Sequence, residues 1–164
     1  MSGLVSNFMD ADHAYLDKLW TKFLNEENNS EGSSNLLKRF KRHLFLHIRL
    51  EDDFLFPLLN SHISMGINPG LLAIAHRDHR NIIKLLAMVE EASLGEDIKK
   101  IKIASRHLQR ALQKHRLRED EIHYPVCDFF IEPKEWSSAL FKIYGQRLNK
   151  DAREGNKYLE KIYN

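Results

Sequence analysis

Apolar residues recur at intervals of three and four along most of the chain, and strict alternation of apolar and polar residues is absent. This period is typical of amphipathic helices and not of strands. Turn-forming residues interrupt the pattern at 28–34, 66–69 and 94–96, and again between Pro125 and Pro133. The pattern therefore predicts five helices, near residues 4–27, 35–62, 69–93, 97–128 and 134–162.

Short connections between long helices favour antiparallel neighbours. The sequence therefore predicts an all-α protein, an up-down-up-down four-helix bundle with an additional C-terminal helix. We expect one domain over residues 1–164, with the bundle at about 4–128 and the appended helix at about 134–162. The fifth helix is amphipathic, and we expect it to pack on the flank of the bundle, a dimer contact being the less favoured use.

One apolar stripe on each of the first four helices is expected to face the bundle interior. The stripes consist of Met9, His13, Leu16, Trp20 and Phe23; Leu37, Phe40, Leu44, His47, Glu51, Phe54 and Leu58; Leu72, His76, His79, Ile83 and Leu86; and Leu108, Leu112, His115, Glu119, Ile122, Val126 and Phe129. Five histidines and two glutamates thus stand where apolar side chains are expected. The remaining histidines, which are His43, His62, His107 and His123, fall beside the stripes and are interpreted as surface or boundary residues, His123 also being a candidate for an outer contact to the site.

The two halves of the chain repeat each other. Residues 12–19 align with 78–85, and residues 47–57 align with 115–125 without gaps. Each half supplies one histidine and then a His-x-x-x-Glu pair, which ends in an aromatic residue followed by proline. Two such halves related by a pseudo-twofold axis would bring matching side chains together around one central point.

The His-x-x-x-Glu spacing places both side chains on one face of a helix, one turn apart. A bare carboxylate in a bundle core costs several kcal/mol, and the stripes carry no lysine or arginine to neutralise Glu51 and Glu119. Bound cations would neutralise them. Imidazole and carboxylate ligands without thiolate suit iron, manganese or zinc. The alternative, a metal-free structural bundle, leaves both core carboxylates without partners.

Composition sets further expectations. The formal net charge is +2, and the basic runs at 38–42 and 99–102 are interpreted as solvated helix faces, so we expect no nucleic-acid partner. The apolar runs are too short to span a bilayer, and the N-terminus does not resemble a signal peptide. One cysteine, Cys127, builds neither a disulfide framework nor a thiolate site. These features favour a cytoplasmic protein without a membrane partner, as a monomer or homodimer.

The set His13, His47-x-x-x-Glu51, His79 and His115-x-x-x-Glu119 resembles the hemerythrin HHE cation-binding family over about residues 8–126. The resemblance implies two iron ions joined by an oxo or hydroxo bridge, with both glutamates bridging and the histidines terminal; zinc or manganese are substitutes. Oxygen-carrying members have a further third-helix histidine. His76 is taken as that ligand, although it lies three rather than four residues before His79. Those members also use an aspartate at the place of Asp120, but Glu119 matches Glu51 and is preferred.

The function that this resemblance implies is binding of dioxygen, nitric oxide or peroxide at an open iron position, as carrier, scavenger or sensor. Apolar walls from Leu16, Leu44, Ile83 and Leu112 are expected to limit access of water. The alternatives are a diiron oxidoreductase acting on nitric oxide or peroxide and an iron-centre repair protein, so enzymatic activity stays open. A ferritin-like site is disfavoured, because it needs Glu-x-x-His pairs and no histidine here has a glutamate three residues before it.

Overall fold

The structure, a computed structural model, describes residues 3–26, 31–62 and 70–145. Within these ranges the regular structure consists of helices only. They are α1 (Leu4–Asn25), α2 (31–62), α3 (Gly70–Leu94), α4 (98–130) and α5, which runs over Pro133–Leu140 and ends in a π-helical turn at Phe141–Gly145. The prediction of an all-α bundle of four helices with a fifth appended is confirmed. None of the described helices contains a stretch long and apolar enough to cross a membrane.

Most of the predicted helix boundaries agree with the structure, and two differ. The predicted loop at 28–34 is too long, because α2 already begins at Glu31. Pro125 does not begin a break: α4 continues through it to Phe130, and only Ile131 and Glu132 separate α4 from α5. The predicted break at 66–69 and the part of the fifth helix beyond 145 lie outside the described residues.

One π-helical turn lies in the middle of α2 and another in the middle of α4. They span Glu51–Leu55 and Glu119–His123, so each begins at the glutamate of a His-x-x-x-Glu pair. The N–H of the residue after each turn reaches back five residues to the carbonyl of that glutamate. A proline follows directly in both helices, and its ring would clash with the carbonyl four residues earlier in a regular α-helix. The wider turn inserts one extra residue and accommodates the proline.

The inserted residue shifts the buried face of both helices by one position. The predicted stripes are therefore wrong beyond the glutamates: Ile122 is 43% exposed and Phe129 is 82% exposed, and Phe54, Leu58 and Val126 are only partly buried. The positions one residue later occupy the core instead. They are Leu55, Leu59, His123 and Cys127.

The core consists of two apolar clusters with a polar layer between them. The first cluster includes Leu16, Trp20, Phe40, Leu44, Ile82 and Leu108. The second includes Met9, Leu50, Leu55, Ala75, Tyr124 and Trp136. On each of α1 to α4 the chain passes from one cluster to the other through a buried histidine, so the polar layer crosses the whole bundle. The ring of Trp136 on α5 packs edge-on against Phe8 of α1 at 5.6 Å, which places the fifth helix on the flank of the bundle as predicted.

The first turn of α1 is capped by a side chain from α4. Asp128 accepts hydrogen bonds from the backbone N–H groups of Gly3 and Val5, at 3.1 and 2.7 Å, and from the backbone and hydroxyl of Ser6. The first N–H groups of a helix have no partner within the helix, and a carboxylate also suits the positive end of the helix dipole. This contact holds α1 in register with α4, and so holds His13 opposite the glutamate of α4.

Candidate metal centre

The polar layer contains six of the seven predicted ligand residues, all of them buried. They are His13 from α1, His47 and Glu51 from α2, His79 from α3, and His115 and Glu119 from α4. Their side-chain ligand atoms fall into two groups in which all atoms lie within 4.8 Å of one another. The repeat seen in the sequence thus becomes one compact cluster, with one half-set from each pair of helices.

Glu51, His79, His115 and Glu119 form the first group. His115 Nε2 lies 2.7 Å from Glu119 Oε1, and His79 Nε2 lies 3.2 Å from Glu51 Oε2. The two Nε2 atoms are 3.0 Å apart. Two ligand atoms bound to one ion at about 2.1 Å and at a right angle also lie about 3 Å apart, so these nitrogens have the spacing of neighbours on one cation.

His13, His47 and Glu119 form the second group. His13 Nε2 lies 3.4 Å from Glu119 Oε2, and His47 Nε2 lies 3.4 Å from Glu51 Oε2. Glu119 belongs to both groups, and Glu51 Oε2 lies close to one imidazole of each. The arrangement can therefore hold two neighbouring cations that share carboxylates.

The carboxylates themselves indicate that cations belong here. Glu51 and Glu119 are fully buried, yet three of their four carboxylate oxygens accept no hydrogen bond. Among the described residues, only histidines lie within ion-pair distance of these two side chains. Leaving a buried carboxylate unsatisfied costs several kcal/mol. Bound cations would satisfy these oxygens, and the nitrogen and oxygen donor set fits the iron that the family resemblance implies.

Without a bound cation, the pKa values of His13, His79 and Glu119 are strongly shifted. Burial acts to lower the pKa of His13 and His79, but neighbouring carboxylates outweigh it. The nearby carboxylates of Asp120 and Glu119 raise the pKa of His13 to about 10, and those of Asp52, Glu119 and Glu51 raise the pKa of His79 to about 12. Burial also acts to raise the pKa of Glu119, and the surrounding imidazoles hold it well below its usual range. Protons thus occupy the imidazoles of His13 and His79 in the metal-free protein, and cation binding displaces them.

Each of the four histidines of the two groups has its Nδ1 atom, the ring nitrogen away from the glutamates, close to an aspartate. Sequence reasoning missed these contacts. The Nδ1 contacts are His47 to Asp12 at 2.8 Å, His79 to Asp52 at 2.8 Å, His13 to Asp120 at 3.4 Å, and His115 to Asp78 at 3.7 Å. For His47 and His79 the aspartate accepts a hydrogen bond from Nδ1, which fixes the tautomer that leaves Nε2 free to bind a metal. For His13 and His115 the aspartate lies near Nδ1 without a hydrogen bond. The signal was present in the sequence, because Asp-His and Glu-Asp pairs occur at matching positions of both repeats. Asp120 thus lies outside the central groups, as predicted, and Glu119 lies within them.

His76 lies apart from the two central groups. Its side chain is 38% exposed, and its Nδ1 is 2.9 Å from the same Asp52 oxygen that His79 contacts. These three residues form a separate group, in which His76 and His79 meet on the carboxylate. The structure thus places His76 beside the site, and its role as a fifth histidine ligand stays a prediction.

The interpretation of the four remaining histidines is wrong for two of them. His43 is buried, with Nε2 2.6 Å from Asp12, the aspartate that also contacts His47. His123 is buried by the shift of the π-helical turn, and neither of its ring nitrogens has a hydrogen-bond partner among the described residues. His62 and His107 lie at the surface as predicted.

The two halves of the site differ in their aromatic residues. Tyr124 of α4 is fully buried and donates a hydrogen bond from its hydroxyl to Glu51 Oε1 at 2.8 Å. Phe56 occupies the equivalent position of α2 and stacks on His79, with 6.2 Å between ring centroids. The sequence shows both residues only as the aromatic residue before a proline in each repeat. The hydroxyl makes the site asymmetric, since one half has a proton donor beside a ligand carboxylate and the other does not.

A family model described as the hemerythrin HHE cation binding domain matches residues 4–127, which cover α1 to α4 up to Cys127. No curated protein and no solved structure matches the chain. The matched range contains all six residues of the buried cluster and the four aspartates around it. The chain therefore belongs to the hemerythrin HHE cation-binding family.

Proposed function

We propose that this chain holds two iron ions between Glu51 and Glu119 and binds a small oxidant, such as dioxygen, nitric oxide or peroxide, at an open iron position. The observation that carries the proposal is the pair of buried ligand groups that share Glu119. A single cation would leave one group of imidazoles without a role. Two adjacent cations use both groups.

The donor set supports iron over softer metals. Four imidazoles and two carboxylates are ligands for iron, manganese or zinc, and thiolate is absent from both groups. Six side chains do not saturate two six-coordinate ions, even when both carboxylates bridge. Positions therefore remain for a small exogenous ligand, and iron with such open positions supplies the chemistry of oxygen and nitric oxide binding.

The protein around the site controls what reaches it. Apolar clusters lie on both sides of the polar layer and reduce the contact of the site with bulk water. Hydrogen bonds to Asp12 and Asp52 keep the rings of His47 and His79 oriented. The hydroxyl of Tyr124 lies 2.8 Å from Glu51 Oε1 and 3.5 Å from His13 Nε2, so a proton donor is held at the edge of the ligand cluster. If this hydroxyl turned from Glu51 to a bound ligand that carries negative charge, its proton would stabilise that ligand.

The test is spectroscopic and uses a matched pair of variants. Protein loaded with ferrous iron under nitrogen is mixed with oxygen, and we expect a visible charge-transfer band that disappears when oxygen is removed. His115→Ala is expected to lose the band, whereas His107→Ala, at an exposed position of the same helix, retains it. Absence of any band and of nitric oxide binding in the iron-loaded protein would overturn the proposal. Sustained turnover of peroxide or nitric oxide with an electron donor would instead favour the oxidoreductase alternative.

A further inference from the structure

A cavity of about 390 Å³ lies against the metal centre between α1, α2 and α4. His13, His47 and His115, three of the four clustered imidazoles, form its inner end. None of the residues that line it belongs to α3 or α5. The cavity thus approaches the site from one side of the bundle.

The walls of the cavity are apolar and its mouth is polar. The walls consist of Leu16, Trp20, Phe40, Leu44 and Leu112. Three of these residues, Leu16, Leu44 and Leu112, are among those that the sequence predicts to limit the access of water. The mouth consists of Asp17, Thr21, Gln109, Gln113 and Arg116, most of which are exposed. The guanidinium of Arg116 donates hydrogen bonds to Asp17 and Asp120, so an ion pair between α4 and α1 borders the opening.

The volume exceeds what a diatomic ligand needs. A water molecule occupies about 30 Å³ in the liquid, and an apolar protein cavity of about 150 Å³ already holds benzene. Pockets for organic ligands begin at about 300 Å³. A cavity of about 390 Å³ with apolar walls therefore has the size and chemistry to take a compact organic molecule.

One residue of the wall, Trp20, has a polar atom without a partner among the described residues. Trp20 is only 5% exposed, and among the described residues its indole N–H donates to no acceptor. Leaving a buried donor unsatisfied costs about 1–3 kcal/mol. Because this nitrogen is itself buried, Trp20 contributes to the cavity wall through the apolar part of its ring.

We propose that this cavity binds the organic group of an alkyl or aryl hydroperoxide, with the peroxide oxygens towards His13, His47 and His115. The proposal rests on the proposed function, because it names the class of oxidant that the site takes. The apolar walls receive the hydrocarbon part, and the polar mouth admits the molecule from solvent. Hydrogen peroxide has no hydrocarbon part and gains nothing from these walls.

The first experiment measures binding without iron, so that its result does not depend on the metal chemistry. The unreactive alcohol 2-phenyl-2-propanol, which has the shape of cumene hydroperoxide without the peroxide bond, is titrated into metal-free protein. Binding is followed by the ¹⁵N–¹H resonances of the two tryptophan side chains. The indole resonance of Trp20 is expected to shift saturably, while that of Trp136, which lies in the other apolar cluster, stays in place.

A pair of variants tests the location. Leu112→Phe narrows the cavity and is expected to weaken binding at least about tenfold. Leu85→Phe is the matched control, because Leu85 is a partly buried residue of the same cluster that does not line the cavity, and binding is expected to be unchanged. If Leu112→Phe fails to fold, Gln113→Phe at the exposed mouth takes its place.

Two results would overturn the proposal: no shift of the Trp20 resonance up to millimolar alcohol, or equal binding by the narrowed and control variants. With iron bound, Leu112→Phe is expected to slow reaction with cumene hydroperoxide relative to hydrogen peroxide. Alcohol binding without iron binding would leave the cavity assignment standing and refute the proposed function. Iron and oxygen binding without alcohol binding would refute only the cavity assignment.

Discussion

Asp52→Asn is expected to weaken metal binding by about 10–100-fold, which corresponds to about 1.4–2.7 kcal/mol. Asp52 Oδ1 accepts from Nδ1 of His79 at 2.8 Å and from Nδ1 of His76 at 2.9 Å. Burial acts to raise the pKa of Asp52, but the two imidazoles outweigh it and hold the pKa below its usual range. The side chain is therefore an anion at neutral pH, and it favours the tautomer of His79 with the proton on Nδ1.

The magnitude follows from what asparagine keeps and loses. Its amide oxygen still accepts one hydrogen bond, so the ring of His79 is not left without a partner. The negative charge is lost, and with it the increase in basicity that a carboxylate gives to Nε2 of the ligand. Because Asp52 is partly exposed, the metal-free protein is expected to lose less than about 1 kcal/mol of unfolding free energy.

The assay is competition with a chelator, using ferrous iron under nitrogen. Asp53→Asn is the control: Asp53 is the next residue, is exposed, and among the described residues pairs only with Arg49, on the helix surface at 3.1 Å. Its variant is expected to bind metal like the unchanged protein. Equal metal affinity of the two variants would refute the idea that Asp52 acts through His79.

Three further outcomes follow from the geometry. Because His76 lies outside the two buried groups, His76→Ala is expected to keep two irons per chain by metal analysis, whereas His79→Ala loses at least one; loss of iron in both would make His76 a ligand. Tyr124→Phe is expected to destabilise the metal-free protein by about 1–3 kcal/mol in denaturant unfolding, because a buried carboxylate loses its donor, and an unchanged midpoint would contradict this. Asp128→Ala removes the cap of α1 and is expected to lower the free energy of unfolding by about 1–2 kcal/mol in the same assay. A decrease below about 0.3 kcal/mol, which is about the scatter between variants, would count against the cap.

The residues of the central cluster could be predicted because two independent patterns agree on them. Helical spacing places each His-x-x-x-Glu pair on one face, and the repeat places a matching pair in the other half. A buried charge without a partner is costly, so such a pattern on an apolar stripe has few explanations other than a metal. The same reasoning found the four bundle helices, whose ends depend on strong turn-forming residues.

The π-helical turns could not be predicted from apolar spacing, because that spacing assumes one helical period throughout. The proline six residues after each glutamate is the available signal, because a regular α-helix does not accommodate it and a wider turn does. Apolar spacing alone omits the inserted residue, so it assigns the wrong core positions after each glutamate and leaves His123 outside the core. The shift also carries Tyr124 into the core, where its hydroxyl reaches Glu51.

The contacts around the ligands could not be predicted because they depend on packing between helices. Asp12 contacts His47 on α2 and not the neighbouring His13, although His13 adjoins it in the sequence. Which histidine an aspartate reaches is decided by how the helices face one another. The cavity beside the site has the same origin, since its walls come from three helices.

The central claim is that two cations lie between Glu51 and Glu119. Anomalous diffraction at the iron absorption edge, from crystals of the iron-loaded protein, tests it most directly. Two peaks about 3.5–4 Å apart are expected, each bordered by both carboxylates and by imidazole Nε2 atoms. Iron found only at the partly exposed group of Asp10, His13 and Asp120, or no iron between the two glutamates, would contradict it.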